Sequence, residues 1–263
     1  MSTGSEPSDT GGAPLVPVPE VVFHDLECGP EAGDLPLWEE MAAAAEGTVM
    51  ELGCGTGRVG IRLAREGHDV LGIERSPALV RAFNERAQRE DLSAQAIVGD
   101  MRKLHLRRLF PLILVPMQVI QQIGGSEDRI GVLRFIEEHL TPNGRAALAI
   151  VEPETLAGMG DDDFGEDNDD PLPDMRELHG WVFSSRPLSV RITEEVAVVE
   201  RLRESVDPRG EITRQRHADT MALLDAAGLE DEARVTGLAP VDRRALEAAD
   251  GYAPSSVVIL GKA

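Results

Sequence analysis

Between residues 48 and 153 the chain alternates two hydrophobic rhythms. Short apolar runs, "TVMEL" (48–52), "HDVLGIE" (68–74), "AQAIVGD" (94–100) and "PLILVP" (111–116), read as strands. The last is almost continuously apolar, as expected of a parallel strand covered on both faces. Between the runs lie stretches with helical spacing. In "GRVGIRLAREG" (57–67), Val59, Ile61, Leu63 and Ala64 form one stripe and Gly67 ends it. "SPALVRAFNERAQRED" (76–91) opens with Ser76 as N-cap and Pro77 at the first helical position. "EDRIGVLRFIEEHL" (127–140) carries apolar residues at 130, 132, 133, 136 and 140, and "TPNG" turns it into a fifth strand, "RAALAIVEP". "PLWEEMAAAAEG" (36–47) predicts a helix ahead of the series. This alternation predicts an open parallel sheet with helices on both faces.

After residue 153 the rhythm breaks. "GMGDDDFGEDNDDPLPDM" (158–175) is too acidic and too rich in Gly and Pro to pack, and reads as a loop or lid. Its carboxylates depart from the EF-hand spacing, so no metal is expected. "SVRITEEVAVVERL" and "EITRQRHA" read as antiparallel strands joined through "DPRG". "DTMALLDAAGLE" reads as a helix ending at Gly228, "EDEARVTGLA" and "SSVVILGKA" as the last strands, and "DRRALEAAD" as helical between them. The expected division is a disordered tail (1–20), a ligand-binding core (21–152), an acidic loop with an antiparallel substrate lobe (153–217), and C-terminal helices and strands completing the sheet (218–263).

Charge narrows the partners. A formal net charge of −21 opposes a phosphate backbone or an anionic lipid surface, so nucleic acid and membranes are not expected partners. The N-terminus lacks the basic and apolar regions of a signal peptide, and the longest apolar run is too short to span a bilayer. Two cysteines, Cys28 and Cys54, form no disulfide framework. A cytoplasmic protein is expected; its oligomeric state stays open.

The chemistry centres on "VMELGCGTGRVG" (49–60). A strand, a glycine turn and a helix arrange unpaired backbone N–H groups around the end of a parallel strand. Positions 55–60 satisfy G-x-G-x-x-G, and Glu74 stands at the end of the second strand, where its carboxylate can accept both hydroxyls of a ribose. That much fits a dinucleotide or another adenosine ligand. Glu51 favours the second, because a carboxylate beside a pyrophosphate is repelled whereas an ammonium or sulfonium attracts one. Asp100 follows the third strand, where it could accept from an adenine amino group with Met101 packed on the ring.

With these residues in place the sequence resembles the class I S-adenosylmethionine-dependent methyltransferases. "VMELGCGTGRVG", "VLGIERSPALV", "AIVGDMRKL" and "HLTPNGRAAL" look like successive motifs of that family, strongest over 49–150. The resemblance implies a doubly wound, Rossmann-like, mostly parallel seven-stranded sheet with a small C-terminal antiparallel lobe. It implies S-adenosyl-L-methionine as cofactor and a small-molecule methyl acceptor. Glu51 would reach the methionine ammonium, with Gly53, Gly55 and Gly57 admitting the cofactor. Glu74 would bind the ribose, Arg75 would flank the adenine, and Asp100 and Met101 would hold it. Val115 and Pro116 would line the methionine portion. Where relatives place Asn and His after the fourth strand, Gln118 and Gln122 stand here, and His24 and Asp25 replace a Tyr-Asp pair. His24, Gln118, Gln122 and Trp181 are therefore candidates for the substrate side. Among the histidines His217, between a strand and a helix of the lobe, is the candidate base, while His139 reads as a solvent-facing residue near a helix end. Methyl transfer from a sulfonium needs mainly alignment and exclusion of water. The alternatives are a same-fold enzyme using the sulfonium for cyclisation or another reaction, an NAD-dependent oxidoreductase, and a non-enzymatic sensor of the cofactor.

Overall fold

The structure is a computed structural model, and it describes residues 16–29, 33–158, 172–248 and 253–263. Two helices, α1 (Pro19–Cys28) and α2 (Leu35–Ala43), precede an alternating series. It runs β1 (Val49–Leu52), α3 (Gly60–Arg65), β2 (Val70–Glu74), α4 (Pro77–Arg89), β3 (Ala94–Val98), β4 (Phe110–Val115), a 3-10 turn (Val119–Gln122), α5 (Ser126–His139) and β5 (Leu140–Ile150). Then come α6 (Pro153–Gly158), β6 (Asp174–Leu178), β7 (Trp181–Ile192), β8 (Val196–Val206), β9 (Ile212–Ala222), α7 (Ala226–Arg234), β10 (Leu238–Leu246) and β11 (Ser255–Lys262).

Seven strands form one sheet in the order β10-β11-β5-β4-β1-β2-β3. β1 pairs in parallel with both β2 and β4, so the order reverses between β1 and β4. Ligands bind open α/β sheets at such a reversal, outside the carboxyl ends of the strands. β11 pairs antiparallel with β5 and with β10. Alternation along the central strands feeds two cores. Met50, Leu52, Ile113 and Val115 pack under α5 and α7, whereas Val49, Leu112 and Leu114 pack against Trp38, Leu63 and Phe83 on the other face. Glu51 shares the parity of Val49 and so points toward that second layer. Ser76 caps α4 as expected, accepting from the Leu79 N–H at 3.3 Å.

β6 to β9 form a separate antiparallel sheet in chain order. Here the observed elements depart from the sequence reading. Residues 189–202 fold as two strands, turning where the Thr193 N–H bonds the Val196 carbonyl at 2.9 Å. Residues 219–222 extend β9, held by Val196–Val199 of β8. Asp225 then caps α7, accepting from the Gly228 N–H, so that glycine begins a helix instead of ending one. Residues 242–246, of helical propensity, are strand because β11 pairs with them, a tertiary override of a weak local preference. Residues 19 and 20, expected in the tail, begin α1, whose first position is Pro19. Most of the acidic run, 159–171, lies outside the described residues, as do residues 1–15 of the tail.

Candidate active site

The turn between β1 and α3 is built for close approach. Gly53 and Gly55 have φ of +70° and +53°, a left-handed region that glycine enters at least cost. A Cβ at Gly53 would stand 2.7 Å from Val119, and one at Gly55 would enter the His24 ring. Gly57 is hemmed in by Ile61 and Phe83. The Gly53 and Cys54 N–H groups donate to the Ile73 carbonyl at 2.8 and 3.2 Å. Glu74, at the carboxyl end of β2, accepts from the Gly55 N–H at 3.3 Å and the Ser76 N–H at 2.8 Å. A carboxylate has about four lone-pair sites, so Glu74 braces the turn and keeps acceptors to spare.

Glu51 lies beneath this turn and not at its mouth. It is 3% exposed, and a Cβ on Gly60 would stand 2.6 Å from its Oε2. Among the described residues, that oxygen is the buried side-chain polar atom lacking a hydrogen bond. Burial pushes the Glu51 carboxyl up to about 8, against the downward pull of Arg58 and the Gly60 backbone N–H. An acceptor left orphaned in a dry site is costly unless something completes it.

α1 seals the turn from the other side. Thr56 donates to Asp25 at 2.6 Å, and Asp25 pairs with Arg86 at 2.5 Å, which also donates to the Thr56 carbonyl at 3.1 Å. Burial would raise the Asp25 carboxyl, but hydrogen bonds from Arg86 and Thr56 outweigh it and hold it below its ordinary value. His24 lies 3.4 Å from the Thr56 hydroxyl and 3.7 Å from the Cys28 Sγ; burial lowers its pKa, so its imidazole is neutral at pH 7. The same helix grips the antiparallel sheet. Glu27 accepts from Arg203 at 2.7 and 2.5 Å and from Ser185 at 2.7 Å, and Phe23 meets Phe183 edge-on at 5.5 Å.

After β4 the chain is strained at two adjacent positions, Met117 (φ +54°) and Gln118 (φ +56°), where side-chain-bearing residues are uncommon. Val115 and Pro116 just before them are buried. Gln118 donates to the Ser255 Oγ at 3.4 Å. Gln122 is exposed, whereas its neighbour Gln121, which the sequence reading passed over, is buried. Gln121 accepts from the Val151 N–H at 2.8 Å and donates to the Val151 and Ala222 carbonyls at 2.9 and 3.1 Å. It ties the loop after β4 to the ends of β5 and β9. Its only sequence signal is a polar side chain between isoleucines in "VIQQIGG".

The remaining expected residues are scattered. Asp100 is engaged by Arg102 at 2.7 and 2.9 Å, and those hydrogen bonds take its carboxyl down to about 2. Met101 is packed in the core and 6% exposed. Arg75 is exposed. Trp181 stacks on Phe183 beside Val22 and Phe23, so it packs α1 onto the lobe. His217, on β9, pairs with Asp219 at 3.2 Å. His139 is buried, bonded to the Phe135 carbonyl at 2.7 Å and to residue 106, and does not face solvent. A cavity of about 990 Å³ opens behind the turn, between α1, α3 and α4, lined by Thr56, Arg58, Arg62, Arg65 and Arg86. It is separate from the strand ends where Glu74 and Pro116 lie.

Residues 49–144, the stretch carrying the glycine turn, Glu74 and Asp100, match a family model described as a methyltransferase domain. Over that stretch the chain is similar to methyltransferases. It is 32% identical over 135 residues to the cypemycin N-terminal methyltransferase of Streptomyces sp, a match covering 51% of this chain and 54% of that protein. The chain spans about half the length of the curated relatives it matches. Solved structures share the fold over nearly the whole chain. A methyltransferase from Clostridium acetobutylicum superposes with a TM-score of 0.72 at 13% identity, covering 92% of this chain and 96% of that one. The sugar N-methyltransferase KedS8 from Streptoalloteichus sp gives 0.69 at 17% identity, covering 98% of both. Among the described residues, no helix is long and apolar enough to cross a membrane.

Proposed function

We propose that this protein binds S-adenosylmethionine at the glycine turn and transfers its methyl group to an amine of a small molecule or peptide end. The observation that carries the reading is the orphaned, buried Glu51 oxygen beneath a turn whose backbone admits no Cβ. A cationic ligand above the turn would complete that acceptor, so the residues present fit the cofactor. When bound, it supplies a methyl group on a sulfonium, whose carbon–sulfur bond breaks with the electron pair on sulfur. Glu51 would offset the positive charge of the ligand, Glu74 would accept the ribose hydroxyls, and Gly53 and Gly55 would give the backbone its close approach. Asp100, already held by Arg102, would meet the adenine as part of that ion pair. α1 and the loop after β4 would exclude water, which strengthens these electrostatic contacts. The amine acceptor is supported by the two named N-methyltransferases and by the acidic charge of the chain, which suits a cationic partner.

Calorimetry with S-adenosylhomocysteine, with NAD as control, tests the cofactor half. The parent protein should bind the first and not the second, and Glu51→Ala should weaken binding at least about tenfold, the scale of one lost charge-assisted hydrogen bond. Equal affinity in Glu51→Ala would remove the central support. Labelled S-adenosylmethionine offered with amino sugars and short peptides tests the transfer. Binding without transfer would point to the sensor or to a non-methylating reaction on the same fold.

A further inference from the structure

We propose that His217 and Asp219 form a proton-accepting dyad on the lobe, with Asp219 positioning the His217 ring so that Nδ1 takes the acceptor's proton. The inference rests on the methyl-transfer reading and deepens it.

The pair shares one face of the antiparallel sheet, as residues two apart on a strand do. Directly opposed residues of neighbouring strands lie on the same face, and His217 stands opposite Arg201 of β8 while Asp219 stands opposite Val199. The Arg201 side chain reaches Ser185 and comes within 3.7 Å of Glu27 of α1, so this is the face turned toward α1. Asp219 is near enough to Cys28 of α1 for its charge to act on that thiol. Cys28 touches His24, and His24 fills the space over Gly55. The far end of β9 is tied to the loop after β4 through Gln121. The dyad therefore lies on the lobe face that packs against α1, the helix whose His24 stands over the glycine turn.

Among the described residues, one nitrogen of the ring is engaged and one is not. Nε2 lies 3.2 Å from the Asp219 Oδ1, so an N–H there donates to the carboxylate and leaves Nδ1 as acceptor. His24 and His139 are less suited: the first is sealed against Thr56 and Cys28, and the second has both ring nitrogens occupied inside the core. An amine that arrives as an ammonium must give up one proton to free its lone pair before the nitrogen–methyl bond forms and the carbon–sulfur bond breaks with its electrons on sulfur. Nδ1 receives that proton, and the positive charge that results is offset by Asp219, with Arg201 the cation nearest in register.

The first test needs no acceptor. In protein carrying nitrogen-15 histidine and saturated with S-adenosylhomocysteine, the His217 signals are assigned by their loss in His217→Gln. His217 should carry its proton on Nε2, and Asp219→Asn should shift the ring toward a mixture of tautomers. A proton on Nδ1, or a tautomer indifferent to Asp219→Asn, overturns the proposal. The second test uses the best amine of the panel. His217→Gln should lower kcat about 100-fold or more and Asp219→Asn about tenfold, with KM for the cofactor unchanged, within the range of a lost general base. Undiminished kcat in His217→Gln likewise overturns it. Affinity for S-adenosylhomocysteine should stay within about twofold in both variants, since neither would touch the cofactor. Failure of the parent protein to bind that ligand would sink the methyltransferase reading instead.

Discussion

The two sheets are held together by different physics. In the seven-stranded sheet β1 and β4 are buried along almost their whole length, and apolar side chains interlock with helices on both faces. In the four-stranded sheet the apolar clusters are small, centred on Phe183 with Val22 and Phe23 at one end and on Ala197 with Leu156 and Val151 at the other. Those small clusters join it to the rest together with a polar set: Glu27 to Arg203, Arg201 and Ser185, and Asp25 to Arg176. Apolar packing is dense and is not screened by salt, whereas ion pairs weaken as ionic strength rises. The difference assigns rigidity to the half that would hold the cofactor and leaves adjustability to the half that would meet the acceptor.

The largest effect should follow from breaking the rigid half. Leu114→Ala opens a cavity at the centre of β4, where the side chain is fully buried, and should cost about 2–5 kcal/mol in urea unfolding. Lobe and core should then be lost in one transition, because the lobe folds against the core.

Glu27→Gln attacks the polar joint. Its carboxylate is largely buried and serves two arginines, so its neutralisation should loosen the lobe by about 1–3 kcal/mol. Hydrogen exchange should quicken in β7 and β8 and stay unchanged in β1 and β4. A uniform change over both sheets would mean that the joint is no softer than the core.

Glu51 allows the cofactor half to be probed by pH. Its folded pKa, about 8, lies above the ordinary carboxyl value of 4.5, so folding favours the protonated form. That contribution is complete below pH 4.5 and is lost as pH rises toward 8. Glu51→Gln abolishes this dependence, so it should be the more stable protein at pH 9, by on the order of 1 kcal/mol, while at pH 4 the advantage disappears. Binding a cation beside Glu51 should also expel its proton near pH 7, visible as a buffer-dependent heat.

The contrast between the sheets also explains what the sequence could reveal. Parallel strands buried on both faces leave continuous apolar runs, and a glycine turn leaves a dense signature, so β1 to β5 and the turn were legible at Val49–Gly60 and Phe110–Val115. The lobe was less so, since its strands are half-exposed and amphipathic, and "DTMALLDAAGLE" contains both the end of β9 and the start of α7. Direction was the harder part even where position was right. Glu51 was recognisable by its place before Gly53, but its orientation depends on the strand parity that sends it under α3. The role of α1 as a clasp was invisible because each of its contacts, to Thr56, Arg86, Phe183 and Arg203, is distant in the chain.

The smallest expected effect makes the same point with one residue. Gln118, Gln121 and Gln122 are alike in type and fall within five positions, and a motif-based reading favours the first and last. Burial reverses that choice. Gln121 satisfies buried backbone groups at Val151 and Ala222, whereas Gln122 projects into solvent. Gln122→Ala should therefore change stability by less than about 0.5 kcal/mol, as for other exposed positions with no special contact. Its affinity for S-adenosylhomocysteine should match that of the parent by calorimetry. A tenfold loss would show that the loop after β4 turns Gln122 inward when a ligand arrives, and the rigid half would then have to be redrawn to exclude that loop.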